Sequence, residues 1–208
     1  ITLSDRSFSA GLSLVSSVTN VVSDNYSLVS GKRLDASYSS TALALTVENP
    51  AGDQATFEFR VFNDGLSFRY AVPGSGQVTV LDEVAGFRLP AGATGYLAQE
   101  QAPGVYAPSY EVPYIPQAAG TSLSPEGSFF PALFALAGSS RHVLLHEAGL
   151  DESYAASRLA ADASDNVYQL RFPSTGEGDI ANAVQPLTGL PLQTPWRLAV
   201  IGELADIV

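Results

Sequence analysis

Three ionisable and three apolar side chains make up one short run, His142-Val143-Leu144-Leu145-His146-Glu147. Its composition predicts a β-strand, in which successive side chains point to opposite faces. His142 and His146 should then share one face, with Glu147 on the other. Two histidines alone do not hold a metal, and a carboxylate at a strand end is common on protein surfaces. Proton transfer by His and Glu is the chemistry that this run itself could support.

Other candidate binding groups lie elsewhere in the chain. Trp196 could stack on the apolar face of a pyranose, with Arg197 donating hydrogen bonds. The strand pattern that follows favours a different interpretation, a core tryptophan beside a salt-bridged arginine. Tyr110 and Glu111 lie in a proline-rich stretch, where either could face a ligand or a partner domain. The serines lack the spacing of a nucleophile elbow, so a serine triad is not supported.

The strongest structural signal is the run from Phe57 to Tyr70, in which apolar and polar residues alternate on both sides of Asn63-Asp64-Gly65. This pattern predicts a β-hairpin, with Asp-Gly supplying the positive φ angles of a tight turn. The backbone conformation of this turn accounts for the presence of Asp64, so a metal-binding role is not needed to explain it. We expect Arg60 and Arg69 to pair with Glu58 or Asp64 across the two strands.

Further short runs with alternating or β-branched residues predict strands along most of the chain. The segment 150–161 has no clean helical spacing and is predicted as a turn followed by a strand around Ser157–Ala160. The segment 90–127 holds six prolines and is predicted as a long, ordered excursion anchored by tyrosines. The fold class is therefore all-β, an antiparallel sandwich forming one domain over residues 1–208. The predicted strands are 12–15, 18–22, 42–47, 77–81, 83–89, 129–136, 142–147, 167–172 and 196–201.

Composition excludes several classes of function. The formal net charge is −11, which opposes binding to nucleic acid or to an anionic membrane. The chain contains no cysteine, so disulfides and thiolate metal sites are excluded. No apolar stretch is long enough to span a bilayer. The sequence starts at Ile1 without a signal-peptide pattern, and we expect that a signal was removed or trimmed.

Six segments, in the same order, resemble the N-terminal domain of glycoside hydrolase family 97. They cover the chain from about residue 10 to residue 202 and therefore make a specific match. The segments are the hairpin with Asn63-Asp64-Gly65 and Phe68-Arg69-Tyr70, Glu83 with Phe87-Arg88-Leu89-Pro90, Tyr110-Glu111-Val112-Pro113-Tyr114, Phe130-Pro131-Ala132-Leu133, Leu145-His146-Glu147-Ala148-Gly149-Leu150 with Tyr154 behind it, and Thr194-Pro195-Trp196-Arg197.

The resemblance implies a galactose-mutarotase-like β-supersandwich that packs against a (β/α)8 catalytic barrel, which should follow this chain. Family members hydrolyse α-glucosidic or α-galactosidic bonds, often with calcium, and their catalytic residues lie in the barrel. The resemblance makes Glu147 the calcium ligand contributed by this domain. Calcium takes six to eight oxygens, so no calcium should bind tightly to this chain alone.

The resemblance also implies a set of partners and a location. The partners are the barrel and an oligo- or disaccharide substrate, with a possible dimer through the exposed barrel-facing surface, and the location is the bacterial periplasm or exterior. A stand-alone carbohydrate-binding module and a mutarotase-like epimerase, using His142 or His146, are the alternatives. Glucoside or galactoside specificity and a retaining or inverting mechanism both stay open.

Overall fold

A computed structural model describes residues 1–30, 34–106, 108–109, 111–123, 125–177 and 184–207. Regular structure within these residues is almost entirely antiparallel β-sheet. A single 3-10 turn spans Ser164–Asn166, and one short helix, α1, spans Leu204–Ile207. The strands are β1 Thr2–Leu3, β2 Ser13–Ser27, β3 Asp35–Glu48, β4 Gln54–Phe62, β5 Gly65–Val72, β6 Gln77–Asp82, β7 Gly86–Arg88, β8 Thr94–Ala98, β9 Tyr114–Ala118, β10 Ala132–Ala135, β11 Arg141–Ala148, β12 Arg158–Leu159, β13 Val167–Arg171, β14 Leu187–Gly189, β15 Leu192–Gln193 and β16 Trp196–Glu203.

One large sheet forms the first layer of the fold. Its strand order is β2-β3-β4-β5-β16-β11-β10-β8-β9, and β15 pairs with β5 as its tenth strand. The second layer consists of two three-stranded sheets, β1-β6-β14 and β12-β13-β7. This arrangement confirms the predicted all-β antiparallel sandwich.

Two hydrophobic cores lie between the layers. In the first, Phe87 and Tyr168 of one small sheet pack with Phe134 and Leu145 of the large sheet. The second joins strand β6 of the other small sheet to Val47, Ala55 and Val72 of the large sheet. Strand β11 therefore has an inward face, with Val143 and Leu145 buried, and an outward face that carries His142 and His146.

The predicted hairpin is confirmed as β4 and β5, which pair from Thr56 opposite Ala71 to Phe62 opposite Gly65. The predicted reason for its glycine was wrong. The described non-glycine residues with positive φ are Asp165 and Asn166, and Gly65 is not among the positive-φ glycines. A Cβ on Gly65 would instead lie 2.3 Å from the backbone oxygen of Ala199, so this glycine is needed for the close approach of β5 to β16.

The proline-rich segment 90–127 is ordered in part by strands β8 and β9, which the sequence analysis did not predict. These strands pair along their whole length, from Thr94 opposite Ala118 to Ala98 opposite Tyr114. The predicted strand around residue 158 is confirmed as β12. Tyr110 lies outside the described residues, and Glu111 is exposed. No helix in the described part is long and apolar enough to cross a membrane.

Candidate functional site

Glu147 lies at the end of the inward face of β11. Its backbone is opposite Arg197 on β16, and its side chain is only 9% exposed. As predicted from the strand pattern, His146 points to the other face and is exposed. Glu147 therefore sits at the margin of the core, where a carboxylate needs a charged or hydrogen-bonding partner.

Arg197 is that partner, and it is fully buried. Its Nη1 donates a 2.5 Å hydrogen bond to Oε2 of Glu147. Its Nε and Nη2 donate to the two carboxylate oxygens of Glu83 at 2.7 and 2.6 Å. This two-point geometry suits the planar guanidinium. The expectation of a salt-bridged arginine at position 197 is confirmed.

Glu83 lies in the link between β6 and β7, so Arg197 ties the large sheet to the connection between the two small sheets. Glu83 is 4% exposed and also accepts a 2.6 Å hydrogen bond from the hydroxyl of Tyr154. From the sequence, Glu83 was only a motif residue of the family resemblance. Its acidic side chain at the start of the predicted strand 83–89 was the available signal for a buried partner.

Ser157 holds Glu147 from the other side. Its hydroxyl donates to Oε2 of Glu147 at 2.7 Å, and its backbone N–H lies 3.2 Å from both carboxylate oxygens. The hydroxyl also accepts a hydrogen bond from Nη1 of Arg197 at 3.1 Å. Oε2 thus carries most of the hydrogen bonds, while Oε1 has one long bond and keeps acceptor capacity for a further ligand.

Burial shifts the ionisation of this cluster. Burial alone would lower the pKa of Arg197, but the hydrogen bonds and charge of Glu83 and the charge of Glu147 raise it. Burial raises the pKa of the Tyr154 hydroxyl strongly, and the nearby Glu83 raises it further. Arg197 and Tyr154 are therefore fixed donors near neutral pH, and two carboxylates against one guanidinium leave the cluster with a formal charge of −1.

The cluster fits one ligand of a cation site rather than a complete one. Among the described residues, no group of three or more His, Asp or Glu side chains could hold a metal ion. Calcium requires six to eight oxygens, and Glu147 presents one with spare acceptor capacity. A calcium ion held there would need further oxygens from backbone carbonyls, waters or a partner.

The two histidines lie apart from the cluster. Nδ1 of His142 is 3.2 Å from the backbone oxygen of Ser140, and the ring of His146 meets Phe130 edge-on at 6.3 Å between centroids. Neither has a carboxylate partner among the described hydrogen bonds and ion pairs. Their shared outward face confirms the expected alternation.

Trp196 is not the core tryptophan that the sequence favoured. It lies on the outward face of β16, half-buried, with the guanidinium carbons of Arg69 and Arg60 at 4.3 and 5.3 Å from its ring centroid. The predicted pairing of Arg69 with Glu58 is confirmed at 2.5 Å. Arg60 instead donates to the hydroxyl of Tyr38 at 3.1 Å. The Trp196 ring is therefore already in contact with two guanidinium groups.

A second buried charge cluster was missed by the sequence analysis. Glu100 accepts from Arg158 at 3.0 Å and from Arg171, and Arg158 also donates to Glu177 at 2.6 Å. Burial raises the pKa of Glu100 to about 7, although Arg171 and Arg158 oppose the rise and Glu177 adds to it. These residues come from separate segments of the sequence, so no local pattern could predict their contact.

Comparison with known proteins identifies the class and then the family. The fold is that of an N-terminal sandwich domain of carbohydrate-cleaving enzymes. The family model described as "Glycosyl-hydrolase 97 N-terminal" matches residues 1–208, and the chain belongs to this family. The resemblance drawn from the six segments is therefore confirmed.

Three relatives illustrate the match. A probable retaining alpha-galactosidase from Streptomyces bingchenggensis (strain BCW-1) is 30% identical, over 96% of this chain and 28% of the relative. The crystal structure of a beta-arabinopyranosidase superposes with a TM-score of 0.90 at 30% identity, over 96% of this chain and 33% of that one. A family 97 enzyme from Pseudoalteromonas sp. strain K8, solved with acarbose, superposes with a TM-score of 0.73 at 22% identity. The match covers 92% of this chain and 28% of that one. The chain thus spans about 28% of the length of the curated relative.

Proposed function

We propose that this chain is the N-terminal accessory domain of a calcium-dependent family 97 α-glycosidase. In this proposal it braces a (β/α)8 catalytic barrel and donates Glu147 to a calcium site at the junction between the two. Family membership and the much greater length of the relatives support a second domain. The single observation that carries the role of Glu147 is its fixed carboxylate with one lightly bonded oxygen.

The geometry explains why a carboxylate at this position could serve a cation. Arg197 and Ser157 hold Oε2, which removes rotational freedom before any ion arrives. Oε1 is left as the ligand atom. Calcium, when bound, would polarise the substrate and complete the electrostatics of the site. This chain contributes no catalytic acid or base in the proposal, since those carboxylates belong to the barrel.

The substrate is proposed to be a galacto-configured pyranoside. The two relatives at 30% identity are named as an alpha-galactosidase and a beta-arabinopyranosidase. L-Arabinopyranose has the ring configuration of galactose without the hydroxymethyl group, so one pocket can hold either ring. We further propose a periplasmic or secreted location, where such glycosides are met.

An exposed apolar row supports a docking surface for the barrel. On the inward face of the large sheet, Val21 lies opposite Thr41, Thr41 opposite Val61, and Val61 opposite Leu66. The apolar members of this row are Val21, Val61 and Leu66. They are 72%, 57% and 40% exposed. The chain alone would then be able to form a dimer through this row at high concentration.

The experiment requires the full-length parent protein. The coding sequence on both sides of residues 1–208 is read first, and a barrel with acidic residues is expected. In the intact enzyme, Glu147→Gln should weaken calcium binding by at least about tenfold in a calorimetric titration, because a neutral amide is a poorer calcium ligand. Glu152→Gln, at an exposed position on the following turn, is the matched control.

The activities of the same two variants also test the proposal. The proposal expects that hydrolysis of a nitrophenyl α-galactoside falls with Glu147→Gln and is partly restored by excess calcium, whereas Glu152→Gln behaves as wild type. A parent without a barrel, or equal calcium affinity in both variants, would contradict it. The mutarotase alternative has no support from the geometry, because the described contacts of His142 and His146 involve no carboxylate.

A further inference from the structure

A groove of about 440 Å³ lies on the outward face of the large sheet, opposite the face that carries Glu147. Its floor is formed by residues aligned across three strands, with Tyr96 opposite Leu133 and Leu133 opposite Leu144. Tyr114 extends the floor on β9. The remaining lining residues are Pro131, His142 and Leu204.

The two tyrosines of the groove are partly open to solvent. Tyr96 is 37% and Tyr114 51% exposed, although both stand on regular strands next to a well-packed core. Adjacent strands bring them to one face, because Tyr96 pairs with Pro116 and Tyr114 with Ala98. Two aromatic rings are thus presented to solvent by a rigid sheet, and a ligand would order few side chains on binding.

The lining chemistry limits the ligand. The seven described lining residues include no Asp, Glu, Lys or Arg, in a chain with a formal charge of −11. A neutral ligand is therefore favoured over an ion. The lining is mostly apolar, and its polar groups are the two phenol hydroxyls and the His142 imidazole, so the ligand should have one apolar face and hydrogen-bonding edges.

We propose that this tyrosine groove binds a pyranose ring of an oligosaccharide. The C–H face of the ring would stack on Tyr96 and Tyr114, and its hydroxyls would form hydrogen bonds with the phenol hydroxyls and the His142 imidazole. The binding site is separate from the proposed calcium junction, and only its role toward a substrate rests on the proposed function. It would hold a glycan chain on the accessory domain and raise the local substrate concentration.

The test is a titration of the isotope-labelled 208-residue chain with melibiose and, separately, with maltose, followed by NMR. Saturable shifts are expected at the methyl groups of Leu133 and Leu144, with a dissociation constant on the order of 1 mM for a single stacked ring. Leu145, on the opposite face of β11, reports on any global change.

Variants localise the site. Tyr96→Ala and Tyr114→Ala should each raise the dissociation constant at least about fivefold. Tyr106→Ala removes a tyrosine that is 92% exposed and outside the groove, and it should leave binding unchanged. Unfolding curves establish that all three variants are folded.

Three outcomes overturn the proposal. The first is the absence of shifts with either disaccharide at 50-fold above the expected dissociation constant. The second is binding that Tyr96→Ala and Tyr114→Ala leave intact. The third is concentration-dependent broadening of Leu133 and Leu144 without sugar, which would identify a second copy of the chain as the occupant.

Discussion

Arg197 and Glu83 form a two-point ion pair inside the sandwich, although 114 positions separate them in the sequence. Their side chains are 0% and 2% exposed. The third nitrogen of Arg197 continues to Glu147, so the orientation of the proposed calcium ligand depends on a carboxylate in a different layer of the fold. This pair joins the stability of the sandwich to the geometry of its candidate site.

Replacing Arg197 with methionine should destabilise the chain severely. Arg197→Met leaves Glu83 buried without its ion-pair partner, and breaking a buried pair in this way costs about 3–5 kcal/mol. The free energy of unfolding from urea titration measures the change. Arg141→Met, at an exposed position, should stay within about 0.5 kcal/mol of wild type. Similar losses in the two variants would show that the buried pair has no special role.

Gly65→Ala tests the close approach of two strands. The new Cβ would lie 2.3 Å from the backbone oxygen of Ala199, so β5 and β16 must separate locally, at a cost of about 1–3 kcal/mol. Gly189→Ala is the control, because nothing lies within 4 Å of a Cβ there. Thermal unfolding compares the two variants. A Gly189→Ala change as large as that of Gly65→Ala would contradict the steric explanation.

The tyrosine that supports Glu83 provides a milder test of the same cluster. Tyr154→Phe removes the hydroxyl that donates to Glu83 and keeps the ring. Loss of a hydrogen bond to a charged group should cost about 1.5–3 kcal/mol. Tyr106→Phe, at a residue 92% exposed, should be neutral. An equal stability of Tyr154→Phe and wild type would mean that another group satisfies Glu83.

The hairpin and the strands around residues 142–147 and 196–201 could be predicted because side-chain alternation is a local property. Strands β8 and β9 were missed because prolines and glycines surround them and their pairing spans the segment 99–113. That Glu147 lies on the opposite face from His146 followed from their neighbouring positions in one strand, whereas nothing in the sequence showed which face is inward. The contact of Glu147 with Arg197 did not follow from the sequence, because register between β11 and β16 depends on the packing of the whole sheet.

The contacts of Trp196 and Glu83 could not be predicted from the sequence either. A tryptophan next to a strand is compatible with either face, and only the register of β5 places Arg69 against its ring. Glu83 was predicted only as the first residue of a strand and as part of a family motif. Whether a charged side chain can be buried depends on a partner that is distant in sequence. The family resemblance implied the role of Glu147, but it did not indicate that Arg197 is its hydrogen-bond partner.

Glu100 should give the chain a pH dependence of stability with a definite sign. Burial raises its pKa to about 7, above the ordinary value of 4.5. Between these values the folded chain holds the proton more tightly than the unfolded chain. The contribution of Glu100 to the free energy of unfolding is therefore fully present below pH 4.5 and is lost as the pH rises to about 7.

Glu100→Gln removes this titration, so the measurement is the difference in the free energy of unfolding between pH 5 and pH 7.5. The wild-type value should fall more across this range than the variant value, whatever the absolute stability of the variant. Glu152→Gln, which is exposed, should keep the wild-type dependence. If Glu100→Gln and wild type had the same pH dependence, the carboxyl group would titrate near its ordinary pKa, and the ion pairs with Arg158 and Arg171 would outweigh its burial.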